Sequence, residues 1–188
     1  MKIKSGDVII FPTDTVYGMG ALVNDIKGQE IIYELKNRPS SKRLSILCAS
    51  LEDIKKIAIV DIDAERVIKK FMPGGLTLIL KTKPEIISDS IHETIGVRIP
   101  NHELALRLLE ENGPMATTSV NKSGFPPMND YWKIVKEFGD KVFYVFPNVE
   151  VPSKKASTII DMTVSPYKVL REGEIKLEDI LNYLNNNA

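Results

Sequence analysis

The sequence contains few of the residues on which disulfide frameworks, metal centres and hydrolytic triads depend. One of its 188 residues is cysteine and two are histidine, so a disulfide within the chain is excluded. Cys48 lies in the apolar run 44–49, which predicts a buried, unreactive thiol rather than a nucleophile or a metal ligand. The sequence shows no Ser-His-Asp triad and no acidic cluster typical of a metal site.

The sequence also has no excess of either charge. Lysine and arginine total 25, aspartate and glutamate total 25, and the pI is about 6.8. This balance excludes a general electrostatic attraction to nucleic acid, so any basic surface is local. No apolar run approaches the length that spans a bilayer, and residues 1–7 are polar. We therefore expect a soluble, cytoplasmic protein without a membrane partner.

What the sequence does contain is an alternation of two apolar patterns. Short β-branched runs predict strands, and apolar residues at helical spacing predict helices. Ser50 with Asp53 resembles a capping box at the start of one helix. Strands are predicted at residues 8–11, 44–48, 76–80, 95–99, 142–146, 158–162 and 168–170, and helices at residues 29–36, 51–57, 64–71, 104–111, 131–138 and 177–184.

This alternation predicts an α/β layer structure, with helices flanking a largely buried sheet. Chain order does not decide which strands run parallel, so we predict an open mixed sheet. With 43% hydrophobic and 27% charged residues, the chain is predicted to form one domain over residues 1–188.

Two polar segments follow predicted elements near the start of the chain. Residues 12–18, PTDTVYG, come directly after a buried strand, where a loop can hold hydroxyls and backbone amides toward a ligand. Residues 36–43, KNRPSSKR, carry four cations. Pro39 is predicted to end the preceding helix, so that several cations project from a loop, and four cations suit a polyphosphate. A solvated helix end is the alternative.

An arginine interrupts an otherwise apolar strand in residues 94–100, TIGVRIP. The charge of Arg98 requires a fixed anionic partner or access to a cleft. Pairing with a carboxylate in the core would meet the same requirement.

Two later segments are rich in hydroxyl groups. Residues 117–124, TTSVNKSG, gather five hydroxyl or amide side chains before a glycine. Such a loop can cradle phosphate oxygens and a ribose, or it can cap its own backbone. Ser157 and Arg171 border two predicted strands, so we predict that they meet at one sheet edge, with an ordinary surface hairpin as the alternative.

These segments, in this order, resemble the YrdC family from about Gly6 to Ile175. One short match can arise by chance, whereas six in order make coincidence improbable. The matching segments are residues 12–18, Lys36-x-Arg38-Pro39, residues 73–77 (PGGLT), residues 97–100, residues 119–124 and residues 157–161.

The resemblance implies a single-domain, twisted, open mixed sheet flanked by helices, with a concave, positively charged ligand cleft. It also implies an L-threonylcarbamoyladenylate synthase, a nucleotidyltransferase that uses L-threonine, bicarbonate and ATP. Threonine is N-carboxylated, its new carboxylate attacks the α-phosphate of ATP, and pyrophosphate leaves. Because the substrates supply the nucleophiles, this chemistry requires positioning and charge neutralisation.

The resemblance also implies residue roles. Thr15, Arg98, Thr117 and Ser157 are expected to contact threonine. Arg98 is expected to be the bidentate partner of the threonine carboxylate. Mg²⁺ is expected to arrive on the ATP phosphates without a protein metal site, and Asp14 is a weak candidate ligand. The residues expected to contact ATP are Lys36, Arg38, Lys42, Thr94, Ser119, Asn121 and Arg171. Of these, Lys36 and Arg38 are the expected catalytic residues.

The chain departs from many relatives in three places. Leu47 stands where some have a histidine near threonine, Gly75 replaces a common proline, and the segment before the first strand is short. The resemblance implies that the product feeds a separate threonylcarbamoyl transferase, which modifies the adenosine beside the anticodon of certain tRNAs. Weak binding of tRNA or double-stranded RNA is compatible with it.

Two other classes of protein remain as alternatives. One is an RNA-binding or ribosome-assembly module without catalysis, since a concave basic face suits an RNA backbone as well as a nucleotide. The other is the carbamoyl-adenylate module of hydrogenase-maturation proteins, which sits in a much longer chain with zinc-binding segments. One cysteine and 188 residues argue against the second class.

Overall fold

A single sheet runs through the centre of an α/β domain. The computed structural model describes residues 1–88, 91–148 and 155–186, and these contain nine short strands. Their order across the sheet is β7-β1-β2-β6-β3-β5-β4-β8-β9. The strands are β1 (Ile9–Phe11), β2 (Gly18–Leu22), β3 (Ser45–Leu47), β4 (Leu76–Lys81), β5 (Thr94–Arg98), β6 (Met115–Ser119), β7 (Tyr144–Val145), β8 (Thr158–Asp161) and β9 (Lys168–Arg171).

The sheet is mixed, as predicted. Strand β3 runs parallel to β5 and antiparallel to β6, while β4 runs antiparallel to β5 and parallel to β8. Strands β1 and β9 each have an antiparallel neighbour, β2 and β8. The β-branched and aromatic residues of the central strands are buried, which explains why they read as apolar on both faces.

The helices agree closely with the apolar periodicity of the sequence. Ser50 accepts a hydrogen bond from the backbone N–H of Asp53 at 3.1 Å, so the predicted cap is present. None of the described helices is long and apolar enough to cross a bilayer. The helices are α1 (Ile26–Lys36), α2 (Leu51–Ile57), α3 (Ile62–Phe71), α4 (Glu103–Asn112), α5 (Tyr131–Phe138) and α6 (Leu177–Asn186).

Two strands, β2 and β6, were not predicted, because glycine and hydroxyl residues dominate them. Strand β2 reads GMGAL and β6 reads MATTS, compositions typical of turns and loops. In the sheet they pair with each other, and a Cβ on Gly20 would lie 2.9 Å from Thr117 Oγ1. Residues 117–119 therefore belong to a strand rather than to the predicted loop. Strand β7 is also shorter than the predicted run 142–146.

The two faces of the sheet are covered unequally. Apolar residues of α1, α2, α3, α5 and α6 pack in the two cores on one face, with Ile46 and Ala116 as neighbours beneath them. On the opposite face, α4 packs against Phe11, Leu47 and Met115. Among the described residues, no other helix contributes apolar residues to the core on this second face. The part of the face that α4 leaves uncovered forms the floor of a cleft.

Cys48 lies inside the larger core, as predicted. Its side chain is fully buried beside Ile46 and Ile54, and it forms no disulfide. Burial raises the pKa of the Cys48 thiol, so it stays protonated at neutral pH.

Candidate functional site

Small residues of the central strands lie beneath the cleft. Across four neighbouring strands, Gly20 pairs with Thr117, Thr117 with Ser45, and Ser45 with Gly96. Thr117 and Ser45 line the cleft and bring hydroxyl groups to it, whereas Gly20 and Gly96 are buried beside them. The cleft has a volume of about 190 Å³, which suits a small organic ligand better than a single water.

Four arginines line this cleft: Arg38, Arg43, Arg98 and Arg171. No aspartate or glutamate lines it within the described residues. The other lining side chains are mostly hydroxyl-bearing or small, with Val16, Leu47 and Ile159 as larger apolar ones. Such a lining favours anionic ligands.

Arg98 lies at the end of β5 and is 6% exposed. Its Nη2 donates to Asp14 Oδ1 at 2.6 Å, its Nη1 to Thr15 Oγ1 at 2.8 Å and its Nε to the Gly74 carbonyl at 2.8 Å. The arginine therefore has both a carboxylate partner and access to the cleft. Since a guanidinium carries five N–H groups, two remain for a ligand.

Arg171 and Ser157 meet at the same edge of the sheet, as predicted. Arg171 Nε donates to the Ser157 carbonyl and Nη2 to Ser157 Oγ, both at 2.9 Å. Ser157 Oγ also lies 2.9 Å from Thr77 Oγ1. The antiparallel pairing of β8 with β9 brings these side chains together.

The segment from residue 37 to 43, which we call the arginine loop, follows helix α1. Asn37 ends the helix in a left-handed conformation with φ of 51°, two residues before Pro39. Arg38 then donates from Nε to the Lys42 carbonyl and from Nη2 to the Arg43 carbonyl, both at 2.8 Å. The Arg38 fork thus closes the loop on itself, whereas Lys42 is exposed.

Lys36 lies at the end of the helix, as predicted, but it does not line the cleft in which it was expected to contact ATP. It is the last residue of α1 and has no exposed surface. Its Nζ donates to the Ser119 carbonyl, to the Asn121 carbonyl at 2.7 Å and to Asn121 Oδ1 at 2.9 Å. Ser119 Oγ donates to the same amide oxygen at 2.6 Å. Lys36 therefore holds the end of β6 and the residues that follow it.

Burial perturbs the cations around the cleft. It lowers the pKa of Lys36 to about 7, and the charge of Arg38 acts in the same direction. Burial lowers the pKa of Arg171, with a further contribution from Arg98, and it lowers the pKa of Arg98 against the opposing effect of Asp14. An anion bound in the cleft would offset the repulsion between Arg98 and Arg171 and would favour the charged form of both.

The cleft gathers most of the predicted site residues. Thr15, Arg38, Arg98, Thr117, Ser119, Ser157 and Arg171 line it, whereas Lys36, Lys42, Thr94 and Asn121 do not. Thr94 accepts from Arg43 Nη1 through its hydroxyl at 2.9 Å and its carbonyl at 3.1 Å. The sequence reasoning counted Arg43 among the four cations of residues 36–43 without giving it a role of its own, and it missed Ser45 and Thr77. The last two are polar residues in apolar strands, which is a usable signal.

The described residues contain no group of three histidine, cysteine, aspartate or glutamate side chains that could hold a metal ion. The candidate ligand Asp14 uses Oδ1 for Arg98 and for the backbone N–H of Asn101. The role of Mg²⁺ stays a prediction.

Comparison with known proteins shows extensive similarity. The Sua5_yciO_yrdC family model, described as telomere recombination, matches residues 1–173. A threonylcarbamoyl-AMP synthase of Pyrococcus abyssi is 37% identical over 95% of this chain and 54% of that protein. A putative threonylcarbamoyl-AMP synthase of Mycobacterium tuberculosis is 34% identical over 99% of this chain and 87% of that protein.

A solved structure shares the fold. The crystal structure of P. abyssi Sua5 complexed with L-threonine matches with a TM-score of 0.86 and 36% identity, over 95% of this chain and 54% of that chain. The chain thus spans about half the length of the Pyrococcus relatives and most of the mycobacterial one.

Proposed function

The chain belongs to the Sua5, YciO and YrdC family, and from this premise we propose that it is a threonylcarbamoyl-AMP synthase. Its substrates would be L-threonine, bicarbonate and ATP. The observation that carries the proposal is the cleft itself, where four guanidinium groups converge over a floor of hydroxyls and glycines. Threonine carboxylate, carbamate and triphosphate are all anions, and each needs cationic partners.

In the proposed reaction the threonine amine attacks bicarbonate, a C–N bond forms and water leaves. A carbamate oxygen then attacks the α-phosphorus of ATP, and the bond to the bridging oxygen breaks to release pyrophosphate. This second step is a nucleotidyl transfer. The lining residues of the cleft offer hydrogen-bond donors and charge rather than a nucleophile, which suits a reaction driven by positioning.

Threonine would lie against Arg98, Thr15, Thr117 and Ser157. The hydrogen bonds of Arg98 to Asp14 and Thr15 fix its orientation before a ligand arrives, which lowers the entropic cost of binding. Leu47 pairs with Arg98 and lines the same cleft, so an apolar contact would stand beside the carboxylate site.

ATP would lie toward Arg38, Ser119 and Arg171. Lys36 and Asn121 would support that site from behind, because their contacts fix the backbone at Ser119. Lys42 and Thr94 do not line the cleft, but each is a neighbour of Arg43, which does: Lys42 precedes it in the chain and Thr94 accepts its hydrogen bonds. Mg²⁺ would arrive with ATP as part of the substrate.

The product would serve a threonylcarbamoyl transferase that modifies tRNA, a role that the protein would have in the cytoplasm. Threonylcarbamoyl-AMP is a mixed anhydride, so a consuming enzyme would transfer its acyl group to a nucleophile, here an amine of the tRNA base. Direct binding of tRNA is not needed for this role.

Pyrophosphate release tests the proposal directly. Purified protein with MgATP should release pyrophosphate only when threonine and bicarbonate are both present, and mass spectrometry should detect threonylcarbamoyl-AMP. An RNA-binding module would show neither result. Release that is independent of threonine would contradict the assignment.

Arg98→Ala is expected to raise the apparent threonine KM about tenfold or more, because a charge-assisted carboxylate contact is worth roughly 1.5–3 kcal/mol. ATP affinity should change by less than about twofold. Steady-state kinetics in each substrate measure both effects, with Arg107→Ala as an exposed arginine control on α4. Equal losses for threonine and ATP would count against the assigned role, once thermal unfolding shows that the variant is folded.

Cys48→Ser is expected to leave the reaction intact while lowering stability. The serine hydroxyl would be buried among apolar residues, at a cost of about 1–3 kcal/mol if it finds no partner. Denaturant unfolding measures this loss, and the pyrophosphate assay checks the chemistry. A folded but inactive variant would reveal a chemical role for the thiol.

A further inference from the structure

Arg43 stands beside the cleft without an assigned role. It lies two residues before β3, and its guanidinium reaches Thr94, the first residue of the neighbouring parallel strand β5. Because Ser45 pairs with Gly96 and Leu47 with Arg98, the contact between Arg43 and Thr94 continues the same row. Arg43, Ser45, Leu47 and Arg98 line the cleft, whereas Thr94 does not.

Along strands β3 and β5, arginines lie at both ends of the cleft. Arg43 precedes Leu47 by four residues, and a parallel strand rises about 3.3 Å per residue, so the two positions lie about 13 Å apart. Arg98 occupies the far end, while Arg43 shares the near end with Arg38. A ligand pair with a carboxylate at one end and phosphates at the other would fill this span.

The hydrogen bonds of the two near arginines differ. Arg38 donates hydrogen bonds from Nε and Nη2 to backbone carbonyls of the arginine loop. Arg43 uses Nη1 for Thr94, and no described residue accepts from its Nε or Nη2. Three of its five N–H groups are therefore available.

The charge of Arg43 is also uncompensated. Within the described ranges it forms no ion pair, and no aspartate or glutamate lines the cleft. The second donation of Arg38 goes to the carbonyl of Arg43, so the backbone that carries this guanidinium is held in place. A fixed cation with free donors is suited to a phosphate group.

On the basis of the proposed function, we infer that Arg43 is a substrate-binding residue that contacts the β- and γ-phosphates of ATP. Its free donors bind phosphate oxygens while Arg38 maintains the shape of the arginine loop. AMP has the α-phosphate but lacks the β- and γ-phosphates, so the contact with Arg43 distinguishes ATP from AMP.

Calorimetric titration of MgATP and of AMP into the whole protein tests the inference. Arg43→Ala should weaken MgATP binding about tenfold or more, the usual effect of deleting one charged hydrogen-bonding partner, and AMP binding by less than about twofold. Arg43→Lys should fall between, because it keeps the charge but loses the fork. Arg107→Ala, an exposed arginine on α4, should match the wild type.

The outcomes separate this inference from the proposed function. Wild-type protein that binds no MgATP would overturn both. Wild-type protein that binds MgATP while Arg43→Ala binds it equally well would overturn only the role of Arg43. Equal losses for MgATP and AMP in Arg43→Ala would show a structural effect on the cleft and would also overturn it.

Discussion

Replacing Lys36 with methionine is expected to lower the free energy of unfolding by about 3 kcal/mol or more and to abolish tight ATP binding. The Nζ group satisfies three acceptors at the end of β6, and the methionine would leave two of them, the carbonyls of Ser119 and Asn121, buried without this donor. Asn121 Oδ1 would keep the hydrogen bond from Ser119 Oγ. Each unsatisfied buried acceptor costs roughly 1–3 kcal/mol, which outweighs the relief of no longer burying a charge. Ser119 and Asn121 would then lose their fixed positions.

Denaturant unfolding and ATP titration measure the two effects. Lys56→Met is a matched control, because Lys56 also lies in the last turn of a helix but is 72% exposed. That variant should resemble the wild type in both assays. If Lys36→Met remained as stable as the wild type and bound ATP normally, Lys36 would have no positioning role.

Gly173→Ala is expected to cost about 3 kcal/mol, at the upper end of the usual range for overpacking. The chain beyond β9 passes so close to β8 that a Cβ on Gly173 would overlap the backbone N of Thr158 and lie 2.7 Å from the Ala156 carbonyl. The two segments would have to separate. Ser157 and Arg171 would then move apart, and ligand binding would weaken together with stability.

Thermal unfolding with and without MgATP measures this coupled loss. Gly139→Ala is the control, because Gly139 has helical dihedral angles and the nearest atom to its Cβ would be a side-chain methyl of Val135 at 3.3 Å. It should be nearly neutral. A Gly173→Ala variant of wild-type stability would show that the backbone relaxes there at little cost.

The helices could be predicted well, because their signals are local. The bounds of α2 and α5 match the predicted ranges, since the apolar spacing and the caps Ser50 and Asp130 lie within a few residues of one another. Strands β2 and β6 depend on partners far along the chain. Gly20 and Thr117 form strand only because each fits against the other.

The site could be predicted in part for the same reason. Arg98 attracts attention because a charge in an apolar strand needs a partner, and the structure supplies Asp14. Burial of Lys36 could not be predicted, since its acceptors lie more than eighty residues away in the chain. Arg43 received no role of its own because nothing in a charged run distinguishes a cation that lines the cleft from a neighbour that does not, such as Lys42.

The position of the cleft across the central strands links ligand binding to the folding of the whole domain. Its lining comes from segments as distant as Thr15, Arg98 and Arg171, which become neighbours only when the sheet is fully paired. A partly unfolded chain therefore has no site to offer. Any ligand of the cleft stabilises the native state by RT ln(1 + [L]/Kd), about 2.7 kcal/mol at a hundredfold excess over Kd. A rise in melting temperature would thus report occupancy of the cleft without any turnover.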